Sequence, residues 1–255
     1  MRTASNIISV LDLFSFERPE WTVDEAAQEL DLGRSTTYRY FKVLADAGLI
    51  VAFRSGCYIL GPAITQLDRQ MRLLDPLIAA ARNGTQKILK ALPVPAVVLV
   101  CRLYRDQVMC IHQEPTDVRG LTVSYERGKL MSLHRGAASK IILAHLPARF
   151  VKSYCLRHSQ ELAEVGFGPE WHDIRGLLRS LRNAGVAVTH SELDAGVIGI
   201  AAPLYDADGN VIGSIGAVLS DKLQDEAVKA SCDIVKSHTQ EINVDFINEV
   251  LLDTG

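Results

Sequence analysis

Along the first sixty residues the apolar positions recur with helical spacing and then give way to strand-like runs. Ala4, Ile7, Ile8, Leu11 and Phe14 fall on one helix face, and Pro19 closes that segment. Thr22 and Glu25, three residues apart, form a capping box, which starts a second helix running to about Leu30 with Ala26 and Leu30 inward. Gly33 breaks it. Ser35 is the expected cap of a third helix, in which Thr37, Phe41 and Leu44 step by four and three residues and face the core. Gly48 is the expected left-handed end of that helix. Two β-prone runs, 49–53 and 57–60, then flank Arg54, Ser55 and Gly56, which is a hairpin pattern.

Pro62 stands where a further helix would begin, and Ile64, Leu67, Met71 and Leu74 step by 3, 4 and 3 along it. That stripe suits a linker helix resting on its own domain, or a coiled-coil-like dimer seam. Pro76 restarts a helix to about Leu92. Beyond Pro95 the pattern changes to strands at 96–103 and 108–113, with a third candidate at 121–125. Helices are expected at 137–146 and 169–183, a strand pair at 197–205 and 211–219, and a last helix at about 226–252. Helices bracketing antiparallel hairpins predict an α+β protein. The expected domains are 1–61, a linker helix at 62–75, and 76–255.

Composition narrows the functional classes. The longest uninterrupted apolar run is six residues, 96–101, whereas a membrane helix needs about 20. The N-terminus lacks the pattern of a signal peptide, so a cytoplasmic location is expected. Five cysteines form an odd set without a C-x-x-C pair, so neither a disulfide framework nor a structural zinc is expected. Net charge is −3, and residues 1–61 carry six basic side chains against eight acidic ones. A nucleic-acid footprint must therefore be local. From Leu32 to Ala45 there are three basic residues and no acid.

A helix, a glycine break, a second helix and a hairpin make a winged helix-turn-helix, whose third helix would enter the major groove. Its expected outward face is Arg34, Ser35, Thr36, Tyr38, Arg39, Tyr40 and Lys42, with Arg54 reaching a phosphate or the minor groove from the hairpin tip. Arginine reads guanine edges bidentately, while hydroxyls and lysine hold phosphates. The partner implied is a double-stranded, pseudo-palindromic operator.

Ser35-Thr36-Thr37-Tyr38-Arg39-Tyr40-Phe41-Lys42, followed by Gly48-Leu49-Ile50 and Tyr58-Ile59-Leu60-Gly61, resembles the DNA-binding domain of isocitrate lyase regulator (IclR) transcription factors. Gly128-Lys129-Leu130-Met131-Ser132-Leu133-His134 running into Ala137-Ala138-Ser139-Lys140 resembles that family's G-x-x-x-P-L-H and A-x-G-K stretch. Ser191-Glu192-Leu193-Asp194-Ala195-Gly196-Val197 with Ile200-Ala201-Ala202-Pro203 resembles its S-x-G-E-x-x-x-G-V and I-A-A-P stretch. Ser132 and Ser139 depart from the family's Pro and Gly, and Ile59 from a common basic residue after the wing tyrosine.

The resemblance implies a GAF-like effector domain, a six-stranded antiparallel sheet with flanking helices, working as a homodimer or tetramer; no cofactor is expected, although some relatives of this kind hold zinc in that domain. It places a ligand cup at Val123, Met131, Ala137, Ala138, Thr189, Val197 and Gly199, with Ser214 and Gly216 on the neighbouring strand. A small-residue helix N-terminus within an apolar cup suits a small organic acid, an aromatic one being favoured. Gly199 removes bulk there, which favours a larger ligand. His134 reads as a packed histidine, and His190, Glu192 and Asp194 as a solvated loop rather than metal ligands. Cys155 and Cys232 read as inert. The competing readings are an enzyme that uses the helix-turn-helix for docking, and an architectural DNA protein. No G-x-S-x-G, H-E-x-x-H, phosphate-loop or dinucleotide fingerprint supports the first. The net negative charge argues against the second.

Overall fold

In the computed structural model, which describes residues 2–115, 123–168 and 170–252, the chain divides into two units, Met1–Leu74 and Asp75–Gly255. The first runs α1 (Arg2–Asp12), β1 (Trp21–Thr22), α2 (Val23–Glu29), α3 (Arg34–Asp46), β2 (Ile50–Arg54), β3 (Cys57–Leu60) and α4 (Pro62–Leu74). The capping box forms as expected. The Glu25 N–H donates to Thr22 Oγ1 at 3.2 Å, and the Thr22 N–H to Glu25 Oε2 at 3.0 Å. α3 begins two residues earlier than expected. Its cap is Gly33, whose carbonyl accepts from the N–H groups of Thr36 and Thr37, so Ser35 lies inside the first turn.

Gly48 closes α3 at φ +69°, a region that costs a side-chain-bearing residue about 1–2 kcal/mol. Its N–H donates to the Ala45 carbonyl and that of Leu49 to the Leu44 carbonyl, both at 2.9 Å. The antiparallel sheet has the order β1-β3-β2. β1 is two residues long and leaves no period in the sequence; it is held by Trp21, whose indole N–H donates to the Leu13 carbonyl at 2.9 Å. Val10, Trp21, Ala26, Tyr40, Phe41, Leu44 and Ile50 form the core. No residue of α4 is buried, and Leu67, Met71 and Leu74 of its apolar stripe lie exposed.

The second unit runs α5 (Pro76–Ala91), β4 (Val97–Tyr104), β5 (Gln107–Pro115), β6 (Leu130–Ser132), α6 (Ala137–His145), α7 (Ala148–Arg157), α8 (Ser159–Glu164), α9 (Trp171–Ala184), β7 (Ala187–His190), β8 (Val197–Tyr205), β9 (Val211–Ser220) and α10 (Asp225–Leu252). The sheet order is β6-β5-β4-β9-β8-β7, with every neighbouring pair antiparallel. Both faces are covered. Val98, Val100, Ile200 and Ile215 pack with α5 and α10, while Val97, Leu99, Val197 and Ala201 pack with the helices α6 to α9. Two-sided burial explains why β4 and β8 read as continuous apolar runs rather than alternating ones.

Three expectations change. The third strand lies at Leu130–Ser132, paired with β5, not at 121–125; residues 121 and 122 fall outside the described residues, and 123–125 join no ladder. Ser124 is instead held by the Asp194 carboxylate, which accepts from both its N–H and its hydroxyl. The helix expected from 169 starts at Trp171, capped by Glu170 and Asp173, with residue 169 outside the described residues. α7, α8 and β7 were not expected; α8 and β7 span only six and four residues.

Candidate functional site

On α3, Arg34, Ser35, Tyr38, Arg39 and Lys42 are exposed and Thr36 is half-buried. Two arginines are already engaged within the unit. Arg34 Nε lies 2.6 Å from Asp24 Oδ1, and Arg54 reaches Glu20 Oε2 through Nε at 3.0 Å and Nη2 at 2.6 Å. Arg39 donates to Thr36 Oγ1 at 3.4 Å, and Lys42 is exposed. Tyr40 does not belong to that face. It sits three residues from Thr37 and one from Phe41, on the inward stripe, and is 8% exposed in the core.

In the second unit a cup lies over β4, β9, β8 and β7, against the start of α6. It is lined by Leu99, Tyr125, Gly136, Ala137, Ala138, Thr189, Glu192, Leu193, Asp194, Val197, Gly199, Ile200, Gly216, Ala217 and Val218. Its polar end is built on the α6 N-terminus. The Gly136 N–H donates to Glu192 Oε2 at 3.1 Å, and the Lys140 ammonium, one turn on, donates to Glu192 Oε1. Lys140 is 7% exposed, donates also to the Val165 carbonyl at 3.3 Å, and lies 5.1 Å from the Phe167 ring. The N–H groups of Ala137 and Ala138 have no carbonyl one turn back and point the same way. One carboxylate therefore neutralises a buried cation and a helix dipole together.

The cup's interior volume is about 30 Å³. A water needs about 10–15 Å³, and a cavity that admits benzene measures about 150 Å³. A cup of this size has room for a water or two, and an aromatic ring requires it to open. Its outer wall is the loop 191–196, tied at its base by the Ser191 N–H on the Val197 carbonyl and the Gly196 N–H on Ser191 Oγ.

Ala137, Ala138, Thr189, Val197, Gly199 and Gly216 line the cup as expected, while Val123, Met131 and Ser214 do not. Met131 sits on β6, separated from β9 by β5 and β4. Val123 packs into the helix-side core. Ser214 is fully buried, its hydroxyl spent on the Ala138 carbonyl at 2.9 Å. Gly199 does not create room either. A methyl there would stand 2.9 Å from Thr189 Oγ1 and 3.4 Å from the Ala137 methyl, so the glycine lets β8, β7 and α6 approach closely. Glu192 and Asp194 are anchors rather than solvated charges. The sequence signal was Lys140, a lone cation in an otherwise apolar helix, which demands a counter-charge.

His134 is buried, with Nδ1 2.8 Å from the Tyr154 hydroxyl; burial is the main cause holding its pKa below the usual value. Burial pushes the Cys155 thiol up to about 11 and raises that of Cys232, which suits inert thiols.

Two family models match: the IclR helix-turn-helix domain over residues 3–52, and the bacterial transcriptional regulator IclR C-terminal domain over residues 76–244. The chain belongs to the IclR family of transcriptional regulators. It is thus a DNA-binding regulator with a C-terminal effector domain, and not an enzyme. Among curated proteins, it is 24% identical over 220 residues to an HTH-type transcriptional regulator, ArcR, of Halobacterium salinarum, covering 82% of this chain and 80% of that protein. It is 20% identical over 215 residues to the Pca regulon regulatory protein of Pseudomonas putida, covering 84% and 73%. An IclR homolog from Microbacterium hydrocarbonoxydans, solved with 4-hydroxybenzoate, shares the fold at a TM-score of 0.75 and 19% identity, covering 96% of this chain and 98% of that one. Among the described residues no helix is long and apolar enough to cross a membrane.

Glu192→Gln leaves Lys140 buried beside a neutral group. With Glu192 partly open to water, the expected loss is about 2–3 kcal/mol, below the range for fully buried pairs. Urea unfolding followed by Trp171 fluorescence, in a Trp21→Phe background, measures it; unchanged stability would show that the pair carries no net weight.

Proposed function

We propose that the protein regulates a catabolic operon in response to an aromatic carboxylic acid bound in the cup, with residues 1–61 reading DNA, the helix at 62–75 linking, and residues 76–255 sensing. The observation that carries this reading is the carboxylate site at the α6 N-terminus, built from the Gly136 N–H and a buried lysine at one end of an apolar cavity. The structural relative solved with 4-hydroxybenzoate and the Pca regulon relative favour an aromatic acid.

Entry of such an acid is an exchange. With Glu192 in place, a second carboxylate would meet like charge; with Glu192 withdrawn, the incoming carboxylate pairs with Lys140 and the N–H groups of Gly136, Ala137 and Ala138. Thr189 adds a hydroxyl, and the ring lies against Leu99, Val197 and Val218. Because Glu192, Leu193 and Asp194 share one loop, the exchange moves that wall and opens the cup. DNA affinity responds only if the acid prefers one arrangement of the DNA-binding domains, with typical couplings of about 1–3 kcal/mol.

The operator is read by Arg34, Ser35, Thr36, Tyr38, Arg39 and Lys42, with Arg54 joining once a phosphate displaces Glu20. The exposed stripe of Leu67, Met71 and Leu74 on α4 forms the seam of a homodimer, which a second contact through the sensor domains extends to a tetramer.

In fluorescence anisotropy on the operator, Arg39→Ala is expected to cost about 1–3 kcal/mol and relax base preference. Lys42→Ala is expected to weaken all sequences alike and lower the salt slope by about 1. Wild-type behaviour of both variants would remove α3 as the reading helix. Leu67→Glu is expected to lower the sedimenting mass while the far-UV circular dichroism stays that of the folded chain; an unaltered mass would place the seam elsewhere. Titrating 4-hydroxybenzoate is expected to shift operator affinity by about 5–150-fold. A regulator that binds operator yet responds to none of a panel of aromatic and aliphatic acids would refute the effector reading.

A further inference from the structure

The turn ahead of α6 and the junction of α7 with α8 bring together three side chains that the DNA and effector readings leave unused. His134 Nε2 lies 3.3 Å from Glu161 Oε2, and His158 Nδ1 lies 3.3 Å from the same oxygen. The two imidazole rings are 5.7 Å apart between centroids, and the three donor atoms all lie within 4.8 Å of one another. Among the described residues this is the only group of three such side chains. The structure assigns to His134, His158 and Glu161 a site for a divalent transition-metal ion, with zinc the best match.

The donor set fits zinc chemically, as two imidazoles and one carboxylate with a fourth position left for water. It also fits metrically. Zinc bonds of about 2.0–2.1 Å at tetrahedral angles put neighbouring donors about 3.3 Å apart, which is the spacing from each histidine to Glu161. An outer support is present as well. The Tyr154 hydroxyl, which accepts from the Leu133 N–H at 3.0 Å, holds His134 Nδ1 at 2.8 Å and leaves Nε2 aimed at the cluster. Metal-bound histidines are typically oriented by a hydrogen bond of this kind at the other ring nitrogen. His134 is buried, but Glu161 is 54% exposed, so an ion reaches the site from solvent. Bound there, it would tie the turn leading into Gly136, the α6 cap, to the start of α8.

Two substitutions test the site without touching the buried histidine: Glu161→Gln and His158→Ala, with His172→Ala on the exposed face of α9 as control. The full-length protein is dialysed against chelator and titrated with Zn²⁺ by calorimetry and with Co²⁺ by visible absorption. The expected result is about one metal per chain at micromolar affinity or tighter, with a tetrahedral cobalt spectrum and a raised melting temperature. Each of the two variants is expected to lose at least about tenfold in affinity and the spectrum, with an unchanged metal-free melt for the exposed Glu161→Gln, while His172→Ala behaves as wild type. No stoichiometric binding, or wild-type binding by both variants, would overturn the assignment and leave an ordinary histidine–carboxylate cluster.

Discussion

The sensor unit depends on the ion pair between Lys140 and Glu192. An ammonium as buried as that of Lys140 costs several kcal/mol unless an anion stands beside it, and the α6 N-terminus asks for negative charge at the same place. One carboxylate on the loop 191–196 meets both demands. Without it Lys140 keeps only the Val165 carbonyl and the Phe167 ring as partners, and the loop has no stronger anchor on α6. The outer wall of the cup is therefore held to α6 by Glu192, with Asp194 tying the same loop to Ser124.

Under the proposed function, that constraint is what lets the domain respond to an acid. The sheet beneath is rigid, covered on both faces by helices and packed with β-branched residues from β4, β8 and β9. A ligand cannot deform it cheaply. The loop differs, because its charge can be replaced by another of the same kind with Lys140 remaining paired throughout. An organic acid suits this design better than a neutral ligand, which would open the loop and leave the cation alone. Gly199 belongs to the same economy of space, since it brings Thr189 and the start of α6 together over β8.

The legible parts of the chain were those governed by local chemistry. Thr22 with Glu25, Gly48 at the end of α3, and the run Val197–Tyr205 each declare themselves within a few residues, and the structure places each where it was expected. What failed depends on contacts distant in sequence. Tyr40 looked outward because its hydroxyl suits DNA, but its helical angle puts it with Phe41 in the core. Ser214 looked available until the Ala138 carbonyl, 76 residues away, claimed its proton. Glu192 read as solvated because nothing near it in sequence needs an anion; Lys140 lies 52 residues before it. His134, His158 and Glu161 have no spacing that marks a metal site, and only the fold of α7 onto the turn before α6 brings them within bonding reach.

In the proposed mechanism the effector acid takes the place of Glu192. The most direct measurement is a crystal structure of the protein with 4-hydroxybenzoate bound. The expected result is the acid's carboxylate within about 2.7–3.2 Å of Lys140 Nζ and of the N–H groups at the α6 N-terminus, with Glu192 withdrawn and the loop 191–196 displaced. An acid seated elsewhere, with Glu192 still bonded to the Gly136 N–H and to Lys140, would contradict it.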